Sequence, residues 1–110
     1  MAIRLLVADD HTIVRQGLVS MLEETGECEV VAQAADGNEA VELAMRTQPD
    51  VVVTDLSMPR LSGLEVVKRV REKLPHTKAL VLTVHEEEEY ILPILRAGAN
   101  GFLNKDTSVA

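Results

Sequence analysis

Short apolar runs alternate with stretches of helical spacing along the whole chain. The runs predict five β-strands, over Ile3–Ala8, Val30–Ala35, Val51–Val53, Ala79–Leu82 and Gly101–Asn104. Apolar residues at helical spacing between the runs predict four helices. Strict alternation of strand and helix with short connections is typical of an α/β fold with right-handed crossovers.

Five strands in such a chain favour a flavodoxin-like, doubly wound parallel sheet with strand order 2-1-3-4-5. The helix signals agree with this arrangement. Thr12 and Asn38 are candidate N-caps, and Ser62 with Glu65 forms a capping-box pattern. The fourth helix is expected from about Glu87 to Ala97.

Two features of that fourth helix can be predicted from its sequence. Ile91, Ile94 and Leu95 are expected to face inward. Pro93 lies inside the pattern, where it lacks a backbone donor and clashes with the preceding turn. We therefore expect a kink or a late start to the helix.

Polar groups suited to phosphate chemistry follow several of the predicted strands. Asp9 and Asp10 follow the first, Asp55 the third, Thr83 the fourth and Lys105 the fifth. The carboxyl ends of parallel strands face one crevice, so these groups should converge there. Taken singly, each is more often a turn former or a helix cap.

A cluster of three carboxylates must hold protons or bind a cation, because like charges repel. Oxygen ligands favour Mg²⁺, Mn²⁺ or Ca²⁺, and a magnesium site built on carboxylates commonly leaves room for phosphate oxygens. The Thr83 hydroxyl and the Lys105 amine suit a phosphoryl group, and an aspartate can act as the nucleophile that accepts it.

Composition and charge argue against a nucleic-acid-binding or membrane-spanning domain. The 110 residues fit one domain, 46% are hydrophobic, and the formal net charge is −7. With no basic patch, direct contact with nucleic acid by this domain is not expected. No apolar stretch approaches the length of a membrane span, and Cys28 is the only cysteine, which fits the cytoplasm.

The chain resembles the receiver domain of two-component response regulators over nearly its whole length. The segments that carry the resemblance are Leu6–Asp10, Val53–Pro59, Leu82–Thr83 and Gly101–Lys105. The stretch Asp9–Leu18 is similar to the NarL/FixJ-type branch, whose members carry a helix-turn-helix DNA-binding output domain after the receiver.

The resemblance implies a role for each matched residue. Asp55 would be the phosphoacceptor, and Mg²⁺, or Mn²⁺ in its place, would bind Asp9, Asp10, Asp55 and the backbone carbonyl of Ser57. Thr83 and Lys105 would bind the phosphoryl group, and Phe102 would move inward as Thr83 shifts. Pro59 and Gly63 would shape the loop after the phosphorylated strand.

The resemblance also implies partners. The phosphoryl donor would be a histidine kinase, and the protein would catalyse only its own phosphorylation and dephosphorylation. Family members usually have one more helix than this chain, so we expect a C-terminally truncated receiver domain over 1–110. We expect it to self-associate, through the fourth helix and fifth strand or through the face left by the missing helix.

Other interpretations remain open from the residues. A haloacid dehalogenase-type phosphatase also uses a strand-end aspartate, but it needs a second one where this chain has Ser57. A flavin-binding domain needs a phosphate-binding loop after the first strand, which this chain lacks. A receiver-like module that only binds partners would not need Asp55, Thr83 and Lys105. For His11 we expect a structural or capping role, with metal ligation as the alternative.

Overall fold

A computed structural model describes residues 2–56, 58, 60–83 and 88–104, and only the backbone of 88–91, 103 and 104. Its strands are β1 (Ile3–Ala8), β2 (Cys28–Ala34), β3 (Val51–Asp55), β4 (Lys78–Thr83) and β5 (Gly101–Asn104). All neighbouring pairs are parallel, in the order β2-β1-β3-β4-β5. The predicted flavodoxin-like α/β fold and its strand order are confirmed.

Four helices connect these strands. They are α1 (Thr12–Glu24), α2 (Gly37–Thr47), α3 (Gly63–Lys73) and α4 (Glu88–Arg96). The chain moves from β1 to β2 in one direction across the sheet and from β2 to β3, β4 and β5 in the other. Right-handed crossovers therefore place α1 on one face and α2, α3 and α4 on the opposite face.

The core lies mainly between the sheet and the three helices on that second face. One cluster joins Leu6 and Val52 of the sheet to Ala44 of α2 and Val66 of α3. A second packs α4 onto the sheet, with Ile94 against Val81. Strand residues on both faces are apolar, as in other parallel sheets covered by helices.

Helix caps explain where two of the helices begin. The Ser62 hydroxyl accepts a hydrogen bond from the backbone N–H of Glu65 at 3.3 Å, as the capping pattern predicts. The start of α2 was predicted wrongly: Asp36, not Asn38, caps it, since its carboxylate accepts from the N–H of Glu39 at 2.8 Å.

At α1 the predicted cap is displaced by one residue. The N-cap position belongs to His11, not Thr12, and its side chain makes no capping hydrogen bond. The imidazole instead turns toward the preceding aspartates, and those contacts are described with the candidate site.

Helix α4 runs through Pro93 to Arg96. Pro93 is five residues beyond Glu88, so the predicted late start is wrong, while the kink stays a prediction. Ile94 is buried as expected, but Leu95 is 45% exposed. The side chain of Ile91 lies outside what the structure describes. Among the described residues, no helix combines the length and hydropathy needed to cross a membrane.

Candidate phosphoryl-acceptor site

The carboxylates at the ends of β1 and β3 come together. Ala8 of β1 is paired with Thr54 of β3, so Asp9 and Asp55 follow on neighbouring strands. Oxygen atoms of Asp9, Asp10 and Asp55, with a ring nitrogen of His11, all lie within 4.8 Å of one another. We call these four residues the acidic cluster.

Two of the three carboxylates are withdrawn from water. Asp9 is 0% exposed and Asp55 is 6% exposed, whereas Asp10 lies at the surface. Burying like charges side by side is unfavourable unless positive charge or hydrogen bonds offset them. Three clustered carboxylates, one of them exposed to solvent, fit a hard divalent cation such as Mg²⁺.

Backbone hydrogen bonds fix the residues that carry these carboxylates. The N–H of Asp9 donates to the carbonyl of Ala34 at 3.0 Å, which ties the end of β1 to β2. The N–H of Leu56 donates to the carbonyl of Leu82 at 3.0 Å, which ties the residue after Asp55 to β4. The residues of the acidic cluster are therefore anchored to the sheet by backbone hydrogen bonds and do not depend on loops alone for their position.

The loop after β3 returns closely to Asp55. The N–H of Gly63 donates to the carbonyl of Leu56 at 2.8 Å. A Cβ atom on residue 63 would collide with the backbone carbonyl of Asp55, so the start of α3 packs there only because residue 63 is glycine. Ser57 and Pro59 lie outside the described residues.

Thr83 lies at the carboxyl end of β4, one position beyond the residue paired with Asp55, and is 2% exposed. Phe102 is paired with Val81 on β5, so its side chain points to the face that α4 covers, and it is 36% exposed. Phe102 therefore lies on β5 beside β4, and it is not part of the acidic cluster. Lys105 lies outside the described residues.

His11 belongs more closely to the site than its sequence context predicted. Its Nδ1 atom is 3.1 Å from Oδ1 of Asp9 and 3.3 Å from Oδ1 of Asp10. Its backbone N–H also donates to Oδ1 of Asp9 at 2.9 Å. The sequence signal for this placement was only its position directly after the acidic pair.

Arg15 supports the same turn and was not predicted as a site residue. Its Nη1 atom donates to the backbone carbonyl of Asp9 at 2.7 Å, and its Nε donates to the side-chain oxygen of Gln33 at 3.3 Å. One turn into α1, this guanidinium links the helix to the end of β1. No motif in the sequence marks that role.

The family profile described as "Response regulator receiver domain" matches residues 5–110. The chain belongs to the response regulator receiver family. The oxygen regulatory protein NreC of Staphylococcus haemolyticus is 44% identical over 104 residues, which are 94% of this chain and 48% of that protein. The transcriptional regulatory protein DegU of Brevibacillus brevis is 38% identical over 104 residues, 94% of this chain and 44% of that protein.

A solved receiver structure agrees with this one. The signal receiver domain of the putative response regulator NarL from Mycobacterium tuberculosis is 40% identical and superposes with a TM-score of 0.91, covering 96% of this chain and 85% of that one. The predicted resemblance to NarL-type receivers is confirmed. This receiver domain spans about half the length of the curated relatives it matches.

Proposed function

We propose that this receiver domain is a phosphorylation-dependent signalling switch in which Asp55 accepts a phosphoryl group from a histidine kinase. The observation that supports this most strongly is the convergence of Asp9, Asp10 and Asp55 within 4.8 Å at one edge of the sheet. Family membership favours this function over a haloacid dehalogenase-type phosphatase or a flavin-binding domain.

Asp55 is the nucleophile in this proposal. One of its carboxylate oxygens attacks phosphorus, the bond from phosphorus to the leaving group of the donor breaks, and an acyl phosphate remains on the protein. Its attachment to β3 and the close packing of Gly63 hold that carboxylate at a fixed position. Positioning of this kind supplies much of the catalysis of phosphoryl transfer.

The carboxylates of Asp9, Asp10 and Asp55, with the backbone carbonyl of Ser57, would hold Mg²⁺, or Mn²⁺ in its place. When bound, the ion offsets the negative charge that builds up between the carboxylates and the phosphoryl oxygens. In this proposal Asp9 and Asp10 would act as ligands, and Asp55 alone as the nucleophile.

The switch depends on residues of β4 and β5. The phosphoryl group brings negative charge and strong acceptor oxygens. Thr83 would donate its hydroxyl hydrogen to one oxygen, and Lys105 would pair with another. Phe102 would turn inward as Thr83 moves, which favours a second arrangement of the surface formed by α4 and β5.

That surface would recruit a second copy of the domain and so control an attached DNA-binding, transcription-regulating domain. Among the side chains that the structure describes there, Leu92, Leu95 and Phe102 are apolar and exposed. The net charge of −7 makes the receiver itself a poor surface for a nucleic acid duplex. We place this activity in the cytoplasm, where a histidine kinase would donate the phosphoryl group.

The chemical test is incubation with acetyl phosphate and Mg²⁺ followed by intact-mass measurement. We expect the mass to increase by one phosphoryl group, with loss of acetate from the donor. Asp55→Asn should abolish the increase, since an amide oxygen is a poor nucleophile, and removal of Mg²⁺ by a chelator should slow it strongly.

Asp50 offers a matched control at the opposite end of the same strand. It immediately precedes β3 and accepts the backbone N–H of Arg4 through Oδ2 at 2.8 Å, a bond that an asparagine oxygen can also accept. Asp50→Asn should be phosphorylated like the unaltered chain. Equal phosphorylation of Asp55→Asn and Asp50→Asn would overturn the assignment of Asp55.

A further inference from the structure

The side chain of Arg15 holds the residue that follows β1. We infer that Arg15 is a positioning residue for the proposed metal site: it fixes the backbone of Asp9 and thereby raises the affinity of the acidic cluster for Mg²⁺. Arg15 is not itself a ligand, because a guanidinium has no acceptor atom. The inference rests on the proposed function, since the ion is the one that phosphorylation of Asp55 would require.

Asp9 is bonded through both of its backbone groups. Strand β1 ends at Ala8, but the N–H of Asp9 still donates to the carbonyl of Ala34 on β2 at 3.0 Å. The carbonyl of Asp9 accepts from Nη1 of Arg15 at 2.7 Å. Hydrogen bonds from a charged donor are about twice as strong as those between neutral groups. With both groups bonded, the backbone at Asp9 has a fixed direction, and the direction of its carboxylate depends on that backbone.

Arg15 is held in place in turn. Its Nε atom donates to the side-chain oxygen of Gln33 on β2 at 3.3 Å. Its backbone N–H donates to the carbonyl of His11, the N-cap residue of α1, at 2.9 Å. The guanidinium therefore joins α1 to the carboxyl ends of two neighbouring strands. A ligand residue supported in this way needs little rearrangement when an ion binds.

These polar bonds matter more for α1 than they would for the other helices. Every residue of α1 is described, and none of them is buried. By contrast, α2 buries Ala40 and Ala44, and α3 buries Val66 and Val70. Burial of apolar surface is the main force that holds a helix on a sheet. The bonds of Arg15 therefore help to fix α1 as well as Asp9.

The charge of Arg15 acts in the opposite direction from its hydrogen bonds. A cation near the acidic cluster repels a second cation, so loss of the charge alone would strengthen Mg²⁺ binding. Loss of an outer-shell partner commonly lowers metal affinity by about 10–100-fold. Because Arg15 acts on the backbone of a ligand and not on the ligating oxygen, we expect the lower end, about tenfold. The sign of the change thus separates positioning from charge.

The test is an NMR titration of the chain with MgCl₂, which follows the backbone amides of Asp9 and Asp10 and measures binding without any phosphoryl donor. Arg15→Met removes the charge and both side-chain hydrogen bonds but favours the helix as arginine does. We expect it to weaken Mg²⁺ binding about tenfold. Arg15→Gln should weaken binding as well, and it keeps the test decisive if Arg15→Met does not fold.

Amide hydrogen exchange of the metal-free chain gives a second readout. In both Arg15 variants the N–H of Asp9 should exchange faster relative to that of Leu56, which donates to Leu82 on the other side of the site. A general loss of stability would speed exchange at both amides equally. Faster exchange at Asp9 alone is therefore the signature of positioning.

Arg4 provides the matched control. Its Nη1 atom also donates to a backbone carbonyl, that of Gln48 at 2.9 Å. Five residues of extended chain separate it from Asp9, about 16 Å, which exceeds the Debye length of about 8–10 Å. Arg4→Met removes the same kind of bond and the same charge at the opposite end of β1. It should leave Mg²⁺ affinity unchanged.

Unchanged or tighter Mg²⁺ binding in the Arg15 variants would overturn the inference, and so would an equal loss in Arg4→Met or exchange at Asp9 that only follows Leu56. The proposed function has a separate readout, because phosphorylation by acetyl phosphate is measured on the unaltered chain. Phosphorylation of Asp55 with Mg²⁺ binding that ignores Arg15 would sink only the inference. Failure of phosphorylation would sink the proposed function, whereas the effect of Arg15 on Mg²⁺ affinity would still be decided by the titration.

Discussion

At the scale of single residues, the site depends on close approach as much as on charge. Gly63 lets α3 begin directly against the backbone carbonyl of Asp55, and a larger residue would collide there. The position of Asp55 is thus set partly by a residue that has no side chain. Gly17, in the middle of α1, differs because a Cβ atom there would meet nothing within 4 Å.

This contrast predicts opposite effects of the same substitution. Gly63→Ala should lower the free energy of unfolding by about 1–3 kcal/mol, because the loop must shift to admit a methyl group. Gly17→Ala should raise it by about 0.5–1 kcal/mol, because alanine favours the helix. Urea denaturation measures both. Equal effects of the two substitutions would contradict the packing assigned to Gly63.

The convergence of Asp9, Asp10 and Asp55 could be predicted at this scale, because each follows an apolar run that reads as a strand. The placement of His11 could not be predicted. Its ring direction depends on the backbone of one turn, with His11 at the N-cap in place of Thr12. Sequence spacing alone does not decide which of two adjacent residues takes a cap position.

At the scale of elements, strand positions were more predictable than helix boundaries and helix faces. Apolar runs indicated all five strands, since parallel strands buried on both faces have continuous hydrophobic sequences. The face of α4 was predicted only in part, since Leu95 is exposed beside the buried Ile94. Asp36 displaced Asn38 as the cap of α2 because the helix begins at Gly37.

Helix α4 carries an internal proline, and this predicts a measurable effect. Pro93→Ala should restore a backbone donor to the carbonyl of Glu89 and raise the free energy of unfolding by up to about 3 kcal/mol. Amide hydrogen exchange in α4 should slow at the same time. The neighbouring Leu92→Ala is a control with little change in helix propensity.

No gain in stability or in amide protection for Pro93→Ala would mean that α4 already satisfies that carbonyl by another route. In that case the missing donor could not be the cause of the predicted kink. The distinction matters for function because α4 forms part of the surface proposed to change on phosphorylation.

At the scale of the whole molecule, the sheet topology brings the carboxylates of the acidic cluster together. The strand order places β1 and β3 side by side, although helix α1, β2 and α2 separate them in sequence. Reversal of the crossover direction after β2 opens the crevice at their carboxyl ends. The fold class and the acidic edge could therefore be predicted together, since both follow from strict alternation of strand and helix.

The described part of the chain presents exposed apolar side chains on two separate surfaces, and they predict how copies would associate. One is the α4–β5 surface with Leu92, Leu95 and Phe102, and the other is α1, where Ile13 is 85% exposed. We expect phosphorylation to promote dimers through the first surface. Sedimentation velocity with and without acetyl phosphate should show this shift.

Single substitutions separate the two surfaces. Leu95→Glu should abolish the phosphorylation-dependent dimer, because it buries a charge in the contact. Ile13→Glu should leave the dimer intact. Loss of dimer in Ile13→Glu alone would assign the contact to α1, and a monomer at high concentration in every state would exclude self-association by this chain.

The central claim is that the buried carboxylate of Asp55, and no neighbouring carboxylate, accepts the phosphoryl group. Borohydride reduces an acyl phosphate to an alcohol, which converts the modified aspartate to homoserine and marks its position. After treatment with acetyl phosphate and Mg²⁺, peptide mass spectrometry should find homoserine at position 55 and nowhere else. Homoserine at position 9 or 10, or at none of the three, would contradict the account.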